Sequence, residues 1–343
     1  MKKRRFIIRW SNRLLFGLIL LTGLGSLLPT DLLAGASVLT LAFPVLIIPQ
    51  CIALILTLRY APKLLVLPLI GFALLSMPVL AQLPFAKDHS TDDDIRVASY
   101  NVRAFYQDKL ANEHVAKWAA DQNIDILCMQ EVRKTKASVI ADRFPFRSYA
   151  PKWSDYSIAI YSAYPIIRSE ALIFDRIPDD IYARFSAQFA DIALPNDTVR
   201  VLNVHLSSTG VRDGDMSVTP SKEDLMEASG FVARKIADSD KLRGLQSKHI
   251  LEWVAQSPHP IILTGDFNGV PGGNLYARLM QHLQDPYLLK GHGAMGSFEP
   301  LKRRYLPIKI DWTLHSPALN ATGQFIDPIH LSDHFPLITT FTR

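Results

Sequence analysis

Between Leu14 and Ala86 the chain carries only three charged side chains, Asp31, Arg59 and Lys63. So long a stretch with so little charge points to a bilayer rather than to water. Its uncharged runs are Leu14–Thr30 (17 residues), Leu32–Leu58 (27) and Leu64–Ala86 (23). A spanning helix needs about 20 apolar residues, so three transmembrane helices are expected over residues 1–86, with a tight turn at Pro29-Thr30-Asp31. Pro44, Pro49, Pro68 and Pro78 would be costly in soluble helices but are tolerated in spans. Basic residues cluster before the first run and at Arg59 and Lys63, and both groups belong on the cytoplasmic side. The expectation is a multi-pass protein of the cell membrane whose part after Ala86 is extracytoplasmic. In a rival reading residues 1–36 are a cleaved secretory signal, because Ala34-Gly35-Ala36 resembles an A-x-A site. Two spans would then remain, and the following domain would stay outside.

The charge balance changes once this segment is set apart. The whole chain is +5, with a pI near 9.1. Residues 1–86 hold eight basic residues against Asp31, so residues 87–343 carry two more acids than bases. A near-neutral domain does not advertise a nucleic-acid partner. Cys51 and Cys128 are the only cysteines, and they fit neither a disulfide framework nor a thiolate metal site.

Residues 87–94 read as a polar linker, and residues 95–343 alternate strand-like and helix-like segments. Strands are expected at Ile95–Val102, Ile124–Glu131, Ser157–Ser162, Pro165–Ala171, Arg184–Ala193 and Thr198–Leu206, then at Ile261–Asn268, Ile308–Ser316 and Leu337–Phe341. Helices are expected at Lys109–Gln122, Lys134–Arg143, Lys222–Gln256 and Asn274–His282. Ser207–Ser221 reads as a loop. The pattern predicts a layered α/β architecture, stacked sheets with helices outside.

Polar residues recur where these strands end. Asp266 and Asn268, two apart, are expected to project to the same side at the end of an apolar strand that Gly269, Pro271, Gly272 and Gly273 terminate. Asn101, Gln130-Glu131 and Asn203-Val204-His205 close three other strands. Asp311 lies inside Ile310-Asp311-Trp312, where a charge needs a partner, and Asp333-His334 precedes the last strand. Each has a plain structural reading: Asn and Asp form turns, a single His is usually structural, Glu131 can be solvated, and Asp311 can pair with Arg303 or Arg304. Their joint occurrence favours a site at one edge of the sheets.

Ser99-Tyr100-Asn101-Val102, Gln130-Glu131, Asn203-Val204-His205-Leu206, Gly265-Asp266-Phe267-Asn268, Ile310-Asp311-Trp312 and Ser332-Asp333-His334-Phe335-Pro336 together resemble, in order, the motifs of the endonuclease/exonuclease/phosphatase superfamily. The resemblance covers nearly all of residues 95–343 and implies a four-layered α/β sandwich, two packed sheets flanked by helices. It implies a metal-dependent phosphoesterase in which Asp266 orients and deprotonates the attacking water and Asn268 donates an amide N–H to the phosphate. His334 would contact the scissile phosphate with its imidazole held by Asp311, and His205 would be a second phosphate-facing donor. Glu131, Asn101 and Asp333 would hold Mg²⁺ or Mn²⁺, hard ions that take oxygen ligands. Arg184 would support substrate binding, and Gly296-Ser297-Phe298 would line the site. Tyr156-Ser157 stands where a glycine is common, and Trp312 where tyrosine is, but neither removes a catalytic group. The expected substrate is a phosphodiester, nucleic acid by family breadth, with a phospholipid headgroup or a phosphomonoester as the alternative. A catalytically inactive membrane scaffold of the same fold would be marked by a missing catalytic residue, and none is missing.

Overall fold

The computed structural model of the chain describes residues 2–28, 43–83, 86–87, 91, 94–105, 110–133, 136–150, 156–174, 186–209, 222–294, 296–299 and 308–342. Two mixed sheets form its centre. Numbered along the chain, the first sheet runs β3 (Phe146–Tyr149), β4 (Tyr156–Ser162), β2 (Ile126–Arg133), β1 (Ile95–Asn101), β12 (Leu337–Phe341), β11 (Ala321–Ile326), β9 (Gly291–Gly293). The second runs β10 (Asp311–His315), β8 (Ile261–Asp266), β7 (Thr198–His205), β6 (Ser186–Ala193), β5 (Ile166–Ile173).

Period-two alternation assigns each strand residue to a layer. Ile126 and Cys128 of β2 point inward and meet Val199, Val201 and Ile262 of the opposite sheet. Leu127 and Met129, between them, point outward against Val115 and Trp118 of α4 (Ala111–Asp121) and Ile140 of α5 (Ser138–Arg143). On the other side Leu202, Val204, Ile261 and Leu263 pack under Ile250 and Val254 of α6 (Lys222–Ala255) and under Tyr276 and Leu279 of α7 (Asn274–Leu279). Helix, sheet, sheet, helix is the four-layered sandwich that the sequence predicts. The predicted Leu337–Phe341 strand is reproduced; β3, β9, β11 and the short α8 (Tyr287–Lys290) are additions to the sequence reading.

Residues 2–80 differ from expectation. The described helices are α1 (Lys2–Leu27), α2 (Phe43–Tyr60) and α3 (Val66–Leu80). Only one of them contains a stretch long and apolar enough to cross a membrane, Lys3–Gly23; Val45–Tyr60 and Val66–Ser76 are shorter. Three full spans are therefore not found among the described residues. Counting uncharged runs misplaced the boundaries, because α1 reaches back through the basic residues to Lys2, and part of the second run falls in residues 29–42, outside the described residues. The three helices pack up-down-up: Asn12 Nδ2 donates to Thr57 Oγ1 at 2.9 Å, and Ile19 packs on Leu75 with Leu46 and Ile47 beside it. Leu14, Leu21, Ile48, Ile55, Leu69 and Phe72 remain exposed.

The end of α3 meets the sandwich. Ala81 packs into the apolar cluster under α6 and α7, its carbonyl accepts from Lys309 Nζ at 3.1 Å, and Ala86 N donates to Gly291 O at 2.9 Å.

Candidate active site

Strand register assembles the first half of the site. In β8, Asp266 lies opposite His205 of the parallel strand β7 and opposite Asp311 of the antiparallel strand β10. Gly265 makes this possible. Its φ is +143°, and a Cβ there would stand 2.1 Å from Val204 O, so no residue with a side chain fits between the strands. The first sheet supplies Asn101 at the end of β1 and Glu131 near the end of β2, and His334 stands just before β12.

Asp266 is the hub, buried to 1% exposure. Its Oδ2 accepts from Asn101 Nδ2 at 3.0 Å and lies 3.7 Å from His205 Nε2 and 3.8 Å from His334 Nε2. Its Oδ1 accepts from Asn268 N at 2.9 Å. This last bond corrects a sequence expectation. Asp266 and Asn268 are not brought together by strand alternation, because the strand stops at Asp266 and Asn268 turns into the left-handed region (φ 49°). An Asx-type turn joins them, and Asn268 Nδ2 donates to Leu206 O at 2.9 Å.

Glu131 reaches the cleft through a second irregularity. Adjacent strand residues face opposite ways, and Gln130 points between the sheets, where its Nε2 donates to Asn203 Oδ1 at 2.7 Å. The β2–β4 register shifts between Met129 and Val132, and Glu131 takes a φ of 52°. Asn203 Nδ2 donates to Met129 O and Ala159 O beside this bulge. Gln130 and Asn203 are thus the bolts between the sheets, and Glu131, its side chain 34% exposed, is left facing the cleft with Oε1 3.3 Å from Asn101 Nδ2 and 3.8 Å from His205 Nε2.

The two histidines sit in opposite electrostatic settings. Burial pulls the His205 imidazole below its ordinary pKa, more than Asp266 raises it, so it is neutral near pH 7. Burial also acts downward on His334, but the carboxylates of Asp311 and Asp266 outweigh it and raise the group to about 10. The charged His334 donates Nδ1–H to Asp311 Oδ2 at 3.0 Å. Asp266 is pushed up, by burial first and then by Asp311. A buried carboxylate held above its usual range is a better base, and the imidazolium beside it is a strong hydrogen-bond donor.

Several supporting groups were not singled out in the sequence. Arg103 pairs with Asp333 at 2.9 Å, and its backbone N–H donates to Asn101 Oδ1 at 3.0 Å. Arg103, Ala104 and Phe105 all have positive φ (43°, 55° and 58°), so the chain turns sharply here to reach the cleft. Arg243 of α6 is buried, pairs with Asp240, and donates Nη1–H to Ser207 O at 2.7 Å, fixing the start of the loop after His205. Ser297 Oγ accepts from the backbone N–H of both Ile310 and Asp311, and Phe298 lies 4.8 Å from the His334 ring. The expected Gly296-Ser297-Phe298 loop therefore does line the site. Phe267 stacks on Trp312 at 4.1 Å, with Tyr276 edge-on at 5.4 Å, which makes a rigid floor. Asp311 pairs with His334; Arg303, Arg304 and the expected substrate residue Arg184 lie outside the described residues.

Two groupings bear on a divalent cation. Asp266, Asp311 and His334 present ligand atoms within 4.8 Å of one another. An imidazolium held charged by its neighbours donates rather than ligates, so this trio is a hydrogen-bond network. Glu131 fits better, a carboxylate whose side chain is 34% exposed at the cleft and suited to a hard ion. The buried Asn101 turns its Nδ2 toward Glu131 and Asp266, and its Oδ1 accepts from Arg103 N. Asp333 is linked to this pair through Arg103, whose guanidinium pairs with Asp333 Oδ2 at 2.9 Å and whose backbone N–H donates to Asn101 Oδ1.

A profile of the Endonuclease/Exonuclease/phosphatase family matches residues 98–334. Among solved structures, a humanised D. rerio TDP2 is 14% identical, covering 74% of this chain and 100% of its own, with a TM-score of 0.54. Sphingomyelinase C from Streptomyces griseocarneus is 18% identical (72% and 99% covered, TM-score 0.50), and a mannosyl-6-phosphatase from Bacteroides thetaiotaomicron is 17% identical (72% and 99%, 0.50). No curated protein sequence matches. At these identities the structural likeness speaks for the sandwich, while the profile spans every strand end described above. The chain therefore belongs to the endonuclease/exonuclease/phosphatase family of metal-dependent phosphoester hydrolases.

Proposed function

We propose that the chain is a membrane-anchored phosphodiesterase, with residues 1–86 as anchor, 87–94 as linker and 95–343 as the catalytic domain. The observation that carries the chemistry is the convergence of Asn101, His205 and His334 on one buried oxygen, Asp266 Oδ2. Asp266 takes a proton from a water whose oxygen forms the new bond to phosphorus, while the bond from phosphorus to the leaving oxygen breaks and its electron pair departs with that oxygen. The His334 imidazolium, oriented by Asp311, and the neutral His205 donate to the non-bridging oxygens, where charge builds up. Asn268, held by Leu206 O, adds an amide donor at the rim. Arg184 is placed with the substrate contacts by its resemblance to a family arginine. A divalent ion, Mg²⁺ or Mn²⁺, held by Glu131 and Asn101 with Asp333 nearby, would neutralise phosphate charge.

The test is turnover by the purified full chain of DNA, RNA, sphingomyelin and a soluble p-nitrophenyl phosphodiester. Activity should vanish with chelator and return with Mg²⁺ or Mn²⁺. Glu131→Gln should raise the metal concentration for half-maximal rate by about 10–100-fold with little change in folding; an unchanged metal requirement would remove Glu131 from the role.

Nucleic acid is the broad family substrate, but a specific contact favours a phospholipid headgroup. Lys309, which holds the Ala81 carbonyl at the end of α3, is two residues from Asp311, or roughly 7 Å of extended chain. The bilayer end of the anchor thus adjoins the cleft edge. The acidic balance of residues 87–343 agrees with this reading. The basic residues near Arg9 and Lys63 lie at the other end of the helices, which supports a cytoplasmic basic end and an extracytoplasmic domain. Protease added to cells with an opened outer barrier should digest the domain; full protection would reverse that orientation.

A further inference from the structure

Lys309 is 1% exposed, and neither the fold nor the chemistry proposed above requires an ammonium group there. A buried cation needs compensation. Lys309 finds it in three directions: Asp285 Oδ2 at 3.9 Å, the face of the Tyr287 ring at 3.5 Å, and Ala81 O at 3.1 Å. Asp285 is itself fixed, accepting from Tyr276 O–H and Tyr287 N–H at 2.8 Å each. Two of these contacts lie within the sandwich, and the third crosses to residue 81.

That third partner lies just past the last residue of α3, Leu80. The last carbonyls of a helix have no intrahelical partner, and the helix dipole places negative charge there, so a Lys or Arg near that end is stabilising. The last turn of α3 has none. Lys309 supplies that cation from another part of the chain. Its burial lowers its pKa to about 8, with Asp285 opposing the shift.

On its other side Lys309 leads directly into the site. Ile310 N and Asp311 N both donate to Ser297 Oγ, and Phe267 N donates to Ile310 O at 3.0 Å. The residue after Lys309 is therefore tied to the loop that packs on His334 and to the strand end that carries Asp266. A helix end on one side and the orienting aspartate on the other are separated by a single short segment with no free backbone donor at residues 310 and 311.

We infer that Lys309 is a positioning residue that fixes the catalytic sandwich on the exit of α3, so that the cleft edge is held toward the bilayer and presented with phosphoesters borne on its surface. Without Lys309 the sandwich keeps its own core but loses this side-chain tie to the end of α3. The inference rests on the proposed membrane anchor, and the experiment separates the two.

The full chain carries Cys51→Ala and Ile167→Cys, the latter on exposed β5. It is labelled at residue 167 with a fluorophore and reconstituted into phosphatidylcholine vesicles containing an acceptor lipid. The parent should give one narrow donor–acceptor distance distribution. Lys309→Met, close in volume, should broaden that distribution, leave turnover of a soluble p-nitrophenyl phosphodiester within about two-fold, and lower turnover of vesicle-borne sphingomyelin by about ten-fold. Asp285→Asn, which keeps an acceptor for Tyr287 N–H, should broaden it less. Soluble turnover reports folding, so a misfolded Lys309→Met leaves Asp285→Asn to decide. An unchanged distribution in a folded variant overturns the inference while leaving the anchor intact. Release of the parent from vesicles by alkaline carbonate overturns both.

Discussion

Asp266→Asn is expected to lower kcat on any accepted phosphodiester by about 10³-fold, with KM changed little. The substitution keeps size and shape, so the Asn268 N–H bond and strand register should survive. Lost are the basic oxygen and the charge that help hold Asn101, His205 and His334 around it. Burial and Asp311 push this carboxylate above its usual range, which makes the parent a stronger base than an exposed aspartate and the loss correspondingly larger. Steady-state kinetics on the soluble p-nitrophenyl ester, with a thermal melt to check folding, decide the matter. A variant within ten-fold of the parent would show that water is activated elsewhere. The effect should exceed that of Asn268→Ala, because Asn268 contributes one donor at the rim while Asp266 contacts three functional groups.

Much of the site was legible because register and burial are written in sequence. Ile261 to Leu263 reads as a buried strand that Gly269, Pro271, Gly272 and Gly273 terminate, so a polar strand end at Asp266 and Asn268 was readable without coordinates, although the strand itself stops two residues sooner, at Asp266. Asp311 was readable for the opposite reason, a charge among Ile310, Trp312 and Leu314 that required a partner. Side-chain alternation alone does not carry what depends on backbone irregularity. Glu131, expected in the site from the family resemblance, faces the cleft because the bulge near Met129 turns it there. The pairing of Asp266 with Asn268 comes from a turn rather than from strand geometry. Strand β9 is Gly-His-Gly and offers no side-chain pattern, and β11 has turn-forming Asn320 before it and Gly323 inside it, so neither was visible. Arg103 and Lys309 carry no periodic signal because each acts through a single long side chain. Their partners are far away in sequence, Asp333 for one and Asp285 with Ala81 for the other. In the N-terminal part, charge counting found the apolar region but not the helix ends, since a basic residue can continue a helix as well as flank it.

Asp311→Asn separates two ways in which His334 can act. In the parent, burial favours the neutral imidazole, but Asp311 and Asp266 outweigh it and hold the group protonated up to about pH 10. Removing the Asp311 charge takes away the first of these opposing contributions and turns the 3.0 Å bond to Nδ1 into a weaker one to a neutral amide oxygen, while burial remains. The imidazole then loses its proton at lower pH. If the imidazolium donates to the phosphate, the alkaline limb of the pH–kcat profile should move toward neutrality, so that the variant retains more of its activity at pH 6 than at pH 8.5. At its own optimum the variant should still be slower by about 10²-fold, because an amide orients the ring less firmly than a carboxylate. His334→Ala, by contrast, should lower the rate at every pH and leave no limb attributable to this group. A profile for Asp311→Asn that is lower but unshifted would mean that Asp311 only orients a neutral ring, and the charge on His334 would have no part in the chemistry.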